Sequence, residues 1–509
     1  MTRISGCFSR LSALGLSGAV SFAAMAAEPS GDVVSSATGD HYSPSIRGMV
    51  LAQKDDDDLL VPMKKAKPEK KEPADDDLLL PAKTDKPAKD DRTEQGIDLK
   101  GFIQGEAAYA FRDPEHWSKA KGILELGSNG RLGESAKWKV SARAYYDAVF
   151  DIEKNFYAPA VKDDQRHEFQ WRETYLDIPA GEWEFRLGRQ HVIWGEMIAL
   201  FFADVVSARD LREFILPDFD MLRIPQWAAR AEYFKDDFHA ELLWVPYVTV
   251  DNVGKPFDAS GKSGAEFYMY PPQTSGVPGY AIADLEKPTH KLSNTNVGLR
   301  VSGLTSGWDL SAFYYHSVDI QPTFYRTIIA APVAPVPTAL FTPRHDKIDQ
   351  IGGTLSKDFS DFLLKGEAVF THGRKFNVTR LSQEDGLVAS NTFDWIAGLE
   401  FTPFADGRFN VQLFQRYYAS HDPDMIPDRT ESGVTLLLSG KPRRNVEVQG
   451  LLISSLNRSD WLFRPKLTWN LEKNWRWVFG VDVFHGPTTG LFGQYDDKDR
   501  VYTELRYSF

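Results

Sequence analysis

From Ile97 to its last residue the chain alternates. In IDLKGFIQGEAAYAF, Ile97, Leu99, Ile103, Ala107, Tyr109 and Phe111 share one parity, with Lys100, Gln104 and Glu106 on the other. KWKVSARAYYD sets Trp138, Val140, Ala142, Ala144 and Tyr146 against Lys137, Lys139, Ser141, Arg143, Tyr145 and Asp147, and RFNVQLFQRYY, DWLFRPKLTWN and NWRWVFGVDVF repeat the arrangement. A period of two predicts strands with one apolar and one polar face.

The joins between these strands also alternate. LGESA, PAGE, KDD, LTSG, DFSD, FADG, GKPRR and LEKN are short and turn-like. The others are mostly longer and irregular, at 113–118, 150–165, 192–224, 246–290, 319–345, 373–391, 420–429, 457–460 and 487–497. Short turns at one end and long loops at the other predict an all-β, transmembrane antiparallel barrel of about eighteen strands over 96–509. Tryptophans near strand ends, such as Trp183, Trp227, Trp244, Trp469 and Trp475, suit aromatic girdles at a membrane boundary. The chain ends on the alternating strand VYTELRYSF, closed by Phe509, which resembles the C-terminal signature that barrel-assembly machinery reads in outer-membrane proteins.

The N-terminus has a different texture. Arg3 and Arg10, a small-residue apolar run and Ala24-Met25-Ala26 predict a secretory signal peptide over 1–26. Residues 27–95 follow as a charged linker, in which DDDDLLVPMKKAKPEK is echoed by DDDLLLPAKTDKPAK. Dense aspartate and proline keep such a segment solvated and disordered, and its Leu triplets offer contact points to a periplasmic partner. Cys7 is the single cysteine and lies inside the signal, which excludes disulfides, thiol catalysis, thiolate metal sites and covalent c-type haem from the mature chain. The 59 Lys and Arg against 71 Asp and Glu, a net charge of −12, argue against a nucleic-acid partner. No cofactor is implied.

Parity assigns Lys139, Arg143, Arg186, Arg230, Glu232, Arg300, Lys365, Arg416, Arg464, Lys466 and Arg506 to the lumen, together with Glu106, Glu367, Glu400 and Glu504. A mild basic excess would concentrate anions there; the same charges paired across strands would instead keep the channel wet. Segment 182–234 is the most distinctive. After Trp194-Gly195-Glu196 comes MIALFFADVVSARDLREFI, too apolar and too helical in pattern for an exposed loop. A partly helical loop folded into the barrel would bury its apolar residues and water its charges. Arg189, Glu196, Asp204, Arg209, Asp210, Arg212 and Glu213 are then the candidates for a pore constriction.

The stretch GRQHVIWGE, preceded by WRETYLDI and followed by a loop ending in LPDFDMLRIP, resembles an uncharacterised proteobacterial family of outer-membrane barrels. That family is labelled as a domain of unknown function and is similar to the alginate-export and porin-type barrels. Arg189, Gly195 and Glu196 match its motif. The resemblance implies an outer-membrane location and transport, without a substrate. The expected function is a porin-like channel for small polar, and on the basic-lumen reading anionic, solutes. The alternative is the barrel of a multi-protein envelope system that exports lipid or hydrophobic substrate or sheathes an electron conduit. Scattered histidines outside any G-x-S-x-G context argue against an enzyme. Outer-membrane lipid is an expected partner, and a homo-oligomer is compatible with the pattern.

Overall fold

The computed structural model describes residues 98–509, apart from 134, 196, 198–201, 257–261, 270–271 and 331–335. The predicted signal peptide, the linker and Glu196 lie outside the described residues. Eighteen strands form one sheet: β1 (Asp98–Ala110), β2 (His116–Leu132), β3 (Ala136–Asp147), β4 (His167–Ala180), β5 (Trp183–Gln190), β6 (Gln226–Lys235), β7 (Phe238–Tyr247), β8 (Asn296–Thr305), β9 (Trp308–Val318), β10 (Lys347–Asp358), β11 (Phe362–His372), β12 (Thr392–Phe401), β13 (Gly407–Tyr418), β14 (Thr430–Arg443), β15 (Val446–Ser455), β16 (Trp461–Glu472), β17 (Trp475–His485) and β18 (Arg500–Ser508).

Each strand pairs antiparallel with its chain neighbours, and β1 pairs with β18 as well as β2, so the sheet closes. Closure gives every strand of the ring a neighbour on both sides, the condition for crossing a bilayer with strands. At the seam the Gly101 N–H donates to the Phe509 carbonyl and the Phe509 N–H to the Gly101 carbonyl, both at 3.0 Å. The final residue is therefore part of the ladder, and its ring joins Val501 and Leu505 on the exposed outer face.

The polarity is that of a barrel turned inside out. Leu99, Ile103, Leu124, Phe169, Leu242, Ile351, Leu413, Leu438 and Phe479 are exposed on the outer surface, whereas Gln104, Arg143, Asp177, Glu367, Asp394, Arg416 and Asp482 are buried inside. Period-two alternation specifies this, because a register slip of one residue would swap the faces. The eight short joins lie at one end of the barrel and the nine long loops at the other, as the sequence pattern predicts. Within the long loops, Gly279–Ile282, Thr323–Ile329 and Thr338–Arg344 form a small three-stranded sheet.

Candidate functional site

The loop between β5 and β6 turns into the barrel. Among its described residues the helical part is the single turn Phe219–Leu222, and a two-residue ribbon pairs Ala208–Arg209 with Arg223–Ile224. The rest of the described loop is irregular, so the helical pattern read over 197–215 is not realised in its described part, 202–215. The backbone finds partners on the wall instead: Glu367 of β11 accepts the N–H groups of Met197 (3.0 Å) and Ala203 (2.9 Å). A Cβ on Gly195 would lie 2.7 Å from the Asp204 nitrogen and 3.1 Å from Glu367 Oε1, so this motif glycine permits the close approach.

The loop's apolar residues anchor it. Val192, Trp194, Met197, Phe202, Val205, Val206, Phe214, Ile215 and Leu216 are buried in one cluster with the wall residues Leu243, Val245, Phe313, Tyr315, Val369, Ile396, Phe414, Leu437, Leu451, Ile453, Leu462 and Phe484. Trp194 is 1% exposed, packs its ring on Phe313 and Tyr315, and donates from Nε1 to Glu241 at 3.1 Å. These lumen-facing apolar positions were missed by a reading that treats the inward parity as polar. Runs apolar on both parities, Leu436-Leu437-Leu438 and Leu451-Leu452-Ile453, carry the signal: both faces of those strands are covered.

Charged wall residues clamp the loop's other carbonyls. Arg464 donates to Leu216 O (2.7 Å) and Ile215 O (3.3 Å) while paired with Asp482 at 2.8 Å. Arg172 donates to Asp220 O and Arg223 O, and Arg143 also reaches Asp220 O. Asp218 meets Arg476 at 3.3 Å and Lys466 at 3.8 Å. Inside the loop, Asp204 is paired with Arg223 at 2.9 Å and its carbonyl accepts from Arg209.

Between this loop and the wall formed by β1 to β4 and β18 lies a polar cavity of about 80 Å³. Glu213 projects toward it and pairs with both Lys119 and Lys121; Lys119 also binds Glu106 at 2.9 Å, and Arg500 stands 4.0 Å from Glu213. Burial opposes ionisation of Glu213, but Lys119, Lys121 and Arg500 outweigh it and hold the carboxyl well below its usual range. Arg212 is locked between Asp210 (2.5 Å) and Glu168 (2.6 Å). Five basic lining residues (Lys119, Lys121, Arg143, Arg212, Arg500) face seven acidic ones (Glu106, Asp147, Asp210, Glu213, Asp218, Glu266, Glu504), so this space has no basic excess.

The lumen residues read from parity are largely in ion pairs. Lys139 pairs with Glu173, Arg143 with Glu125 (2.7 Å), Arg186 with Asp177 (2.5 Å), Arg230 with Glu232 (2.7 Å) and Arg416 with Asp394. Arg506 donates to Gln104. Arg300 and Lys365 are half-buried. The acidic partners Glu125, Glu173, Asp177, Asp394 and Asp482 cancel the basic excess that parity suggests. Of the constriction candidates, Asp210, Arg212 and Glu213 line this cavity, whereas Asp204 and Arg209, buried within the loop, line a second cavity of about 40 Å³ with Asp319, Arg374, Asp394 and Arg416.

Arg189 is a correction. It pairs in register with Thr174 and with Trp227, an exposed outer-face residue, while neighbouring Gln190 is fully buried inside. Register therefore sets Arg189 on the outer face with Trp227, outside the lining of the cavity.

The long loop after β7 closes on the inward loop through Asp251, whose Oδ1 accepts the Arg209 N–H at 2.8 Å. Burial, against the attraction of Arg209 and with Asp319 and Asp204 adding repulsion, pushes the Asp251 carboxyl up to about 7. An acid whose folded-state value is raised favours the folded state below the ordinary range, and that advantage is lost as pH rises toward the folded value. Attachment of this loop is therefore expected to weaken between about pH 4 and 7. Limited proteolysis within 248–256 should accelerate over that interval in the parent relative to Asp251→Asn; parallel profiles would refute this. Among the described residues no three His, Cys, Asp or Glu side chains are grouped to hold a metal ion.

Among solved structures, the chain is similar to OccAB1 of Acinetobacter baumannii, with 7% identity, 81% of this chain and 96% of that chain covered, and a TM-score of 0.49. For OccAB2 of the same organism the values are 11%, 81%, 98% and 0.45. For an anion-selective porin from Comamonas acidovorans they are 13%, 81%, 99% and 0.37. TM-scores below 0.5 leave the assignment of the architecture to the closure of this barrel itself. No curated protein matches the chain. A family model described as "Protein of unknown function (DUF1302)" matches residues 117–422, more than half of the 509 residues, and so spans β2 to β13 with the inward loop: the chain belongs to that family.

Proposed function

We propose that the protein is a porin-like channel of the bacterial outer membrane that lets small polar solutes diffuse past the inward loop, and that it is not an enzyme. The observation that carries this reading is the closed, outwardly apolar barrel with a charged cavity between the loop and one wall. Export through the signal peptide, insertion through the Phe509 strand by assembly machinery, and contact of the 28–95 linker with a periplasmic partner belong to the same proposal. So does the kinship with alginate-export and porin-type barrels suggested by GRQHVIWGE. The apolar filling between the loop and β7 to β17 favours a second reading, a barrel that serves an envelope system handling lipid or hydrophobic substrate.

Single-channel recording of the refolded mature chain in planar bilayers, with reversal potential under a salt gradient, tests the channel. Ion pairing throughout the lumen predicts weak charge selectivity in the parent. Glu213→Gln removes the carboxylate shared by Lys119, Lys121 and Arg500 and should shift the reversal potential toward anions, changing the permeability ratio by a factor of a few. A folded barrel that stays silent would sink the channel reading, and an unshifted potential would remove this cavity from the conducting path.

A further inference from the structure

The wall of the barrel is uneven where the inward loop leaves it. β4 has 14 residues, but β5 has only 8. A tilted strand needs roughly 9–11 residues to cross the hydrocarbon of a bilayer. β5 pairs with β4 only from Thr174 down to Ala180, and among the described residues the backbone of 167–173 pairs with β3 alone. Beside that unpaired edge the chain of β5 has already turned inward at His191. The outer face nevertheless stays apolar above this level: Phe169 is 64% and Trp171 53% exposed, and Trp227 and Trp244 continue the band on the other side.

The step in the wall has polar equipment. Arg189, the penultimate residue of β5, lies on the outer face with Thr174 and Trp227; its Nε is buried, and among the described residues no hydrogen bond or ion pair reaches it. His191, at the start of the inward turn, has no partner for Nδ1 among the described residues. Arg172, on the unpaired edge and 5% exposed, is bonded to carbonyl oxygens and has no acidic partner among the described residues. On the inner side of the same stretch, Gln170 lines the polar cavity. Gly188 holds the bend beneath, at a φ of +129°, where a Cβ would meet Thr174 O at 2.2 Å. An unpaired arginine at a hydrocarbon boundary is costly unless an anion meets it.

We infer that this step between β4 and β5 is a lateral port that binds an anionic amphiphile, its hydrocarbon tail against Phe169, Trp171 and Trp227 and its head at Arg189, with the polar cavity behind. The inference goes beyond the channel reading and rests only on the barrel lying in a bilayer. The test is photolabelling of the full mature chain in phosphatidylcholine vesicles with a long-chain fatty acid carrying a diazirine in its tail. Label should concentrate on peptides 169–171, 189–193 and 227. Arg189→Gln should lower labelling by about tenfold, the equivalent of about 1.4 kcal/mol for one charge-assisted contact. A fatty alcohol probe should label parent and variant alike. Competition by an unlabelled fatty acid against an alkyl phosphate of equal length tells which anionic head is preferred. Even labelling of outward residues around the barrel, or equal labelling of Arg189→Gln, would overturn the port. Heat-modifiable migration controls for folding. Conductance of the same preparation separates the two readings, since a silent barrel with focused label defeats the channel and leaves the port standing.

Discussion

Excising residues 197–222, with a short Gly-Ser link from Glu196 to Arg223, raises single-channel conductance several-fold over the intact barrel. This result is expected because the segment fills the lumen by packing, and its loss removes the inner partners of Val369, Ile396, Phe414, Leu437, Leu451 and Leu462 together. The barrel wall itself keeps its ladder, since no strand pairing of the ring passes through the excised residues. The exposed inner wall would present apolar side chains to water, so the variant should also lose heat resistance. Conductance steps unchanged by the excision would show that ions cross by a route the loop does not obstruct.

Trp194→Ala carries the second large effect. Removing a buried tryptophan costs about 3–5 kcal/mol through lost contacts and the cavity left behind. Here it also deprives Glu241 of the indole N–H at 3.1 Å and leaves the ring's place against Gly298 empty, where a Cβ would come within 2.5 Å of the indole. The damage should fall on the loop, whose inward turn is built on this side chain, rather than on the ring of strands. Expected readouts are frequent open–closed transitions in recordings and faster proteolysis within 202–222, with the heat-modifiable shift retained. A quiet channel with parent-like protease resistance would show that Glu367, Arg464 and the Arg143–Arg172 pair suffice to hold the loop.

The barrel was legible in the sequence because its two determinants are local. Alternation at a period of two is read within each strand, and the contrast between LGESA-type turns and long loops is read between them. Even the last residue was legible: Phe509 shares parity with Val501 and Leu505, and the structure sets all three on the outer face. The inward course of 191–225 could also be inferred, because Phe202, Val205, Val206 and Leu211 need burial. What they pack against could not. Leu437 and Ile453 sit on the parity reserved for polar residues, and they are apolar only because a segment over two hundred positions earlier in the chain covers them.

Charge shows the same division. Lys139, Arg143, Arg186 and Arg416 were recognised as lumenal, yet their apparent basic excess disappears once cross-strand register brings Glu173, Glu125, Asp177 and Asp394 against them. Arg189 was recognised as distinctive but set on the wrong side of the wall, because its face depends on which residues of β4 and β6 it opposes. The sequence by itself determined the class of fold, the strand number, the end at which the long loops gather and the existence of an inward segment. Each of these follows from patterns a few residues long, imposed by the pleat and by the apolar outer face. Only the tertiary structure decided how the lumen is divided, which charges are spent on one another and where the wall steps down. Those depend on contacts between residues far apart in the chain, and no local period records such distances.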